Sequence, residues 1–519
     1  MSVGLRLRAV GLVVLMAISV TLAACGNTGT TSGSSNTLRL AFGVAPSTLD
    51  PDVFYESEGL ALMTSVYQGL LRYKSNSPQL EGLLATNWKK SSDGLTYTFA
   101  LRQGVKFSDG TPFNAAAAKA SFERRTAVEG GPSYMLENVK SYSTPNAHTF
   151  VVHLSKPWAP FVSYLGSPYG PAMTSPTAIA AHEVNGDHAS AWLDTHTAGT
   201  GPYASSNIQR GVKYTLTANR YYWGPKPYFK TVNFSVVPNF TTQLQEVEGG
   251  SLDVVLHGLT TQTIESLEGS STVQVKEFPS LFQGEVWINP ESEVFGPANV
   301  RAALRASLNN KQLTEEIWGP TGTPSTNVYP AGMLPNGLAP SKPIYKPSLL
   351  APALAPYKGK KVVVGWAEQS QSENLANLLQ VRLQEDGLNA SVQQFQPSTF
   401  FALPERPDLR PDLVVIAFNP DSVTPDTFAR IYWYTEAPVN LLGCSVPKAD
   451  KLLNKAAEQT TEHASQAVGA EAAIAYRDSN CWLNIADTHD TIVLRKGLTG
   501  FEHQLPWIYD LSLSSLREE

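Results

Sequence analysis

The chain has 519 residues, with 45 acidic against 39 basic side chains and a formal net charge of −6 at neutral pH. Hydrophobic residues make up 42% and charged residues 16%, which supports a well-folded body and excludes a disordered or strongly charged chain. No basic run suits nucleic acid, and aromatic residues at 10% fit either a large core or a large enclosed pocket.

The N-terminus carries Arg6 and Arg8 ahead of an apolar run from Val10 to Leu22. That run is shorter than the ~20 apolar residues a membrane-spanning helix needs, and its charged flank fits an export signal. It ends in Leu22-Ala23-Ala24-Cys25, which resembles the lipobox of bacterial lipoproteins, whose cysteine takes a diacylglyceryl group before cleavage. Residues 1–24 are therefore expected as a signal peptide and Cys25 as the lipidated residue. Residues 25–36 contain only Gly, Asn, Thr and Ser after the cysteine and are expected as a flexible tether. No later segment offers an apolar stretch long enough to span a bilayer. The expected location is extracytoplasmic, anchored by lipid to the cell membrane.

Leu38 to Phe42 alternates like a strand and leads into Ser47-Thr48-Leu49-Asp50-Pro51. A helical spacing follows through Leu60, Met63, Tyr67 and Leu70. Leu95 to Arg102 alternates with period two, and Asp93-Gly94 and Asp109-Gly110 mark turns, so a β-meander is expected. Asn114 is placed to cap an alanine-rich helix running to about Arg125. Strand patterns return at Thr149–Leu154, Tyr214–Trp223 and Val232–Val237, with a helix through Leu244 and Val247. Val300, Leu304, Leu308, Leu313 and Ile317 keep near-helical spacing, and Gly319 is placed to end it. Between Pro330 and Pro356 frequent prolines exclude a long helix. Lys361–Trp366, the leucines from Leu375 to Leu383, Gly387 and Ala390–Gln393 form a βαβ pattern, which implies parallel strands and an α/β domain.

Cys25 aside, Cys444 and Cys481 are the two remaining cysteines, either joined as a disulfide in an oxidising compartment or kept as buried thiols. Neither lies in a metal-ligand spacing. The chain has no HExxH, P-loop, GxSxG or nucleotide-binding GxGxxG, so no enzyme and no cofactor is expected. His182-Glu183 and His188 suggest a metal cluster, but the spacing is wrong for a zinc-protease helix and Gly186 interrupts it.

Five ordered blocks together resemble the dipeptide/oligopeptide/nickel class (family 5) of extracellular solute-binding proteins that serve bacterial ABC importers. They are Thr48–Pro51 with Val66–Leu71; Leu84–Trp88 through Asp93–Phe99 to Leu101–Pro112; Gly199–Tyr203 with Tyr222-Trp223; Gly250–Asp253; and Asn299–Leu304. The resemblance implies an α/β, two-lobed periplasmic-binding-protein-like fold (type II, cluster C) with an extra β-rich subdomain inserted in lobe one. Lobe one would comprise 37–75 and 198–270, the inserted subdomain 76–197, and lobe two 271–485, with 486–519 returning to lobe one. A peptide-like ligand would be enclosed by hinge closure and passed to a permease with its ATPase, by a protein expected as a monomer.

By the same resemblance, Phe418-Asn419-Pro420-Asp421 occupies the place of a tryptophan-containing motif ending in aspartate. Asp421 would pair with a ligand ammonium, with Phe418 and Asn419 beside it, since a carboxylate shielded from water holds an ammonium better than an exposed one. The competing reading has Asp421 capping the turn or the helix near Asp426. Trp287 faces either ligand or core; Tyr55 and Ser57 follow the Leu-Asp-Pro block where members approach ligand; His257 ends a strand toward the cleft. Asp50, Asp93 and Asp109 are assigned to structure. Half-cystines that some oligopeptide binders carry correspond to Phe282 and Asn419, so the ligand stays open between peptide, oligosaccharide, opine and nickel chelate, as does a sensor role.

Overall fold

The computed structural model describes residues 36–256, 259–367, 370–505 and 510–519. The signal segment, Cys25 and His257 lie outside the described residues. Among the described residues no helix is long and apolar enough to cross a membrane.

Residues 36–519 form one compact unit built on an eleven-stranded mixed sheet. On one side the strand Thr37–Phe42 lies parallel to Thr231–Val236, which pairs antiparallel with Lys213–Ala218 and so outward to Tyr203–Gln209. On the other side Lys361–Trp366 lies parallel to both Asn389–Gln394 and Leu413–Phe418. The helix Ser370–Glu385 makes the crossover between the first two, as the leucine spacing requires, and Gly387 at φ 93° turns the chain back.

Two long antiparallel strands, Val273–Ile288 and Trp482–Arg495, carry the sheet from one side to the other. Their register slips between Pro279 and Gln283 and again at Gly284/Glu285. Val273 to Pro279 pair with Arg495 to His489 beside lobe-one strands, whereas Gln283 to Ile288 also pair with Leu413–Phe418 of lobe two. Both long strands thus run on without a break while the neighbours of Val273–Ile288 change in its middle, between Pro279 and Gln283. A bulge bends a strand locally, and proline at 279 cannot donate to the ladder.

The inserted β-rich part holds a four-stranded sheet ordered Ala85–Lys90, Thr96–Leu101, Thr149–Leu154, Val139–Asn146. Asp93 closes the first hairpin by accepting from Leu95 N at 3.0 Å. The helix Ala115–Val128 packs on this sheet, and Asn114 caps it by accepting from Ala117 N at 3.0 Å. Its Arg124 and Arg125 reach the loop after the first strand. Arg124 grips Asp50 through Nη1 and Nη2 at 2.8 and 2.6 Å and touches Asp52 at 2.5 Å, while Arg125 Nε meets Asp52 at 2.5 Å. All four side chains are buried. Asp50 is structural, as expected of a turn residue, and through Arg124 it also ties the insertion to lobe one.

The helical spacing from Val300 to Ile317 is two helices, Ala298–Ser307 and Asn310–Ile317. Leu308 is extended at φ −86°, ψ 123°, and Asn309 caps the second helix by accepting from Gln312 N at 3.3 Å. An asparagine side chain satisfies the free amides of a new helix start, so the apolar face continues while the axis breaks. Similarly the first helix spans only Leu60–Val66, with Tyr67 extended behind it.

Candidate functional site

The strand Leu413–Phe418 is rich in β-branched residues and buried along its length. It delivers Asn419-Pro420-Asp421 to the face where lobe two meets lobe one and the insertion. The helix that follows, Pro425–Tyr432, is capped by Thr424, whose hydroxyl accepts from Thr427 N at 3.3 Å. Asp421 is therefore not the helix cap. Its carboxylate is 6% exposed, and one oxygen, Oδ2, accepts from two tyrosines on other parts of the chain. Tyr55, in the loop after the first strand, donates one bond. Tyr134, in the 3-10 turn Gly131–Leu136 of the insertion, donates the other at 2.6 Å.

Burial pushes the Asp421 carboxyl up to about 6, and the bonds from Tyr134 and Tyr55 pull it part of the way back. Both phenols are driven well above their usual range, first by burial and then by the Asp421 charge. Among the described residues no lysine, arginine or histidine pairs with Asp421. A carboxylate desolvated to this degree without a counter-cation gains most from a ligand that supplies one.

Phe418 stacks on Tyr432 with centroids 4.4 Å apart and an interplanar angle of 6°. The Tyr432 hydroxyl donates to the Asn419 carbonyl at 2.8 Å, so Asn419 takes part through its backbone. Trp287 lies behind Phe418, 5.7 Å away, and is 1% exposed. Its Nε1 donates to Glu285 at 2.6 Å, so the side chain backs the wall from the core. Burial lifts Glu285 to about 8, despite the bonds it accepts from Trp287 and Asn484. On the lobe-one side Tyr169 sets its ring edgewise to Tyr55 at 5.2 Å and 85°, and the Ser57 hydroxyl bonds the Tyr169 phenol.

Tyr55, Ser57, Phe418, Asn419 and Asp421 are thus brought together, with Trp287 one layer deeper. Tyr134, Tyr169 and Tyr432 complete the group and had no signal in the sequence beyond being aromatic. A cavity of about 770 Å³ lies between the insertion and lobe two, lined by Tyr97, Pro160, Val162, Val423, Thr424 and Leu453; Asp421, Phe418 and Tyr55 are not part of its lining. At its edge the Tyr164 hydroxyl donates to Asp426 at 3.3 Å, and Val423 N donates to the Tyr73 hydroxyl at 3.1 Å.

Cys444 and Cys481 are joined by a disulfide, their Cα atoms 6.4 Å apart, linking the loop before the helix Pro447–Ala457 to the end of the helix Glu462–Ser479. No cluster of three metal-ligating side chains occurs among the described residues. His182 instead stacks on one face of Trp192 at 4.2 Å and His196 on the other at 4.6 Å.

Comparison with known proteins agrees with this geometry. The probable D,D-dipeptide-binding periplasmic protein DdpA of Escherichia coli strain K12 is 31% identical over 292 residues, 56% of this chain and 56% of the relative. The glutathione-binding protein GsiB of Shigella dysenteriae is 27% identical over 323 residues, 62% of this chain and 60% of the relative. The chain thus spans less than two thirds of the length of these relatives. The fold matches the dipeptide-binding protein from Pseudoalteromonas sp. SM9913 in complex with Met-Leu (TM-score 0.80, 21% identity, covering 93% of this chain and 100% of that one). It also matches NikA from Brucella suis in complex with Fe(III)-EDTA (TM-score 0.81, 20% identity, 93% and 100%). Residues 79–439, more than half of the chain, match the family described as bacterial extracellular solute-binding proteins, family 5. With that match and this two-lobed fold, the chain belongs to the family 5 extracellular solute-binding proteins.

Proposed function

We propose that this protein is the lipid-tethered solute-binding component of an ABC importer and that it captures a peptide-like ligand through its α-ammonium group at Asp421. The observation that carries the reading is the Asp421 carboxylate, buried between the lobes and held only by tyrosine hydroxyls. Tyr55 and Tyr134 keep the carboxylate oriented in the closed form, and a ligand ammonium entering beside it would bring the positive charge it lacks. Phe418, stacked on Tyr432, offers an aromatic wall for the ligand backbone. The relatives named for dipeptide and glutathione binding support a small peptide-like cargo.

Closure would swing lobe two against lobe one and the insertion about the bulged middle of the long strands. Delivery to a permease follows from the family, and binding rather than catalysis is the role assigned to the site. The tether reading rests on Leu22-Ala23-Ala24-Cys25 and the polar stretch after it.

Calorimetry with a dipeptide panel tests the assignment. Asp421→Asn keeps the size and loses the charge, so peptide affinity is expected to fall about tenfold to a hundredfold, the scale of a charged hydrogen bond. Unchanged affinity for the same peptide would remove Asp421 as the anchor. Native mass spectrometry of the purified protein with copurified ligand identifies the cargo.

A further inference from the structure

The charge of the chain is unevenly spread. Against a net charge of −6, residues 195–245 contain Arg210, Lys213, Arg220, Lys226 and Lys230 and no aspartate or glutamate. Three of these cations, Arg220, Lys226 and Lys230, lie in the loop between the strands Lys213–Ala218 and Thr231–Val236 and are exposed. Arg102 and exposed Lys106, from the insertion, join them through aromatic rings. Arg102 stacks over Trp223 at 4.1 Å, and Lys106 and Arg220 lie 5.6 and 4.6 Å from the centre of the Tyr221 ring. Tyr228 is 38% exposed in the same loop. Among the described residues none of these five cations is in an ion pair. The nearby carboxylates are already engaged: Asp109 by Thr111 and Ser175, and Glu518 by Arg495 and Tyr228.

The place of this patch in the fold gives it a partner. Lys230 N and Thr231 N donate to the Asn36 carbonyl at 2.8 and 3.0 Å. The patch therefore borders the point where the polar stretch Gly26–Ser35 joins the body. Tyr55 belongs to the segment that leaves the opposite, C-terminal end of the strand Thr37–Phe42. Clustered cations interleaved with tryptophan and tyrosine suit the headgroup layer of an anionic bilayer, where rings sit at the interface and each cation adds attraction.

We propose that Arg102, Lys106, Arg220, Lys226 and Lys230, with Tyr221, Trp223 and Tyr228, form a docking face for anionic phospholipid headgroups that holds the protein with its binding face turned away from the membrane. The orientation rests on the lipid-tether reading; the surface itself does not. In this resting pose the cleft faces incoming ligand, and the short leash lets the body turn for delivery.

Vesicle co-sedimentation of residues 36–519, a compact unit with its own hydrophobic cores, separates the two ideas because it lacks Cys25. The unlipidated body is expected to bind vesicles containing about one third phosphatidylglycerol, to ignore pure phosphatidylcholine, and to release in high salt. Lys106→Glu, Lys226→Glu and Lys230→Glu together are expected to weaken partition roughly tenfold or more. Lys311→Glu, Lys346→Glu and Lys448→Glu, an equal charge change on lobe two, should keep the wild-type value. Equal loss in both variants, no loss in the first, or equal binding to both lipids overturns the docking face. Fatty-acid labelling of the full chain with and without Cys25→Ser tests the tether separately: an unlabelled wild type fails the tether reading while leaving the vesicle result to stand on its own.

Discussion

Two buried groups of carboxylates sit a short loop apart in this protein and are treated in opposite ways. Asp50 and Asp52 are enclosed with Arg124 and Arg125, so every negative charge taken from water meets a guanidinium. Asp421 is enclosed as fully, yet it meets only phenol hydroxyls. The first arrangement is complete within the chain and joins the insertion to lobe one. In the second, burial raises the carboxyl and the two phenol bonds offset only part of that rise. Glu285 marks a third solution, since burial keeps it protonated and its bonds run to Trp287 and Asn484. Burial alone therefore does not mark a carboxylate as structural or as binding.

Breaking the complete cluster should have the largest effect. Arg124→Met strands Asp50 in the interior and leaves Asp52 to Arg125 alone, and a loss of about 3–5 kcal/mol in urea unfolding is expected. A loss below about 1 kcal/mol would mean the cluster is not the main tie between insertion and lobe one. Asp421→Asn makes the opposite case: stability should stay within about 1 kcal/mol of wild type, because no buried partner charge is abandoned.

Glu285 sharpens the contrast through pH. Its folded pKa of about 8 lies above the ordinary glutamate value of 4.5, so the folded state holds a proton that the unfolded chain releases. The stability linked to this proton is fully present below the unfolded value and is lost as pH rises toward about 8. Urea unfolding of Glu285→Gln should show a flatter decline than wild type between about pH 4.5 and pH 8; an identical decline would assign the slope to other groups. The smallest effect is expected for Tyr134→Phe, which removes one of two hydroxyls from Asp421. About 1 kcal/mol or less of stability should go, and the pH midpoint for ligand binding should move upward as Asp421 loses a bond to its charged form.

Much of the frame was legible in the sequence because it is local. The βαβ unit at 361–394 follows from leucine spacing and Gly387, and the Asn114 cap from a polar residue ahead of an alanine run. The break at Leu308-Asn309 escaped because both helices share one apolar face, so the period survives the change of axis. The change of partners along Val273–Ile288 escaped for a similar reason: it is one continuous strand, and only pairing distinguishes its halves. Within the site, Asp421, Phe418 and Tyr55 came from resemblance. Tyr134 lies 287 positions from Asp421 and in an aperiodic turn, so nothing local marks it. Arg124 and Arg125 sit 74 and 73 residues from their carboxylates and read as ordinary helix surface until the insertion folds back.

Proton release on ligand binding tests the ammonium anchor most directly. With its carboxyl pushed up to about 6 by burial, Asp421 is expected to be about half protonated near pH 6, and a bound ammonium would draw it to full ionisation. Calorimetry of a dipeptide in two buffers of different ionisation enthalpy should show about half a proton released near pH 6 and almost none near pH 7, still below the ordinary α-amino range of about 7.7–8.0, with affinity rising between. Asp421→Asn should abolish that release. Wild-type binding with no proton release at pH 6, or release that persists in Asp421→Asn, would contradict Asp421 as the group that holds the ligand ammonium.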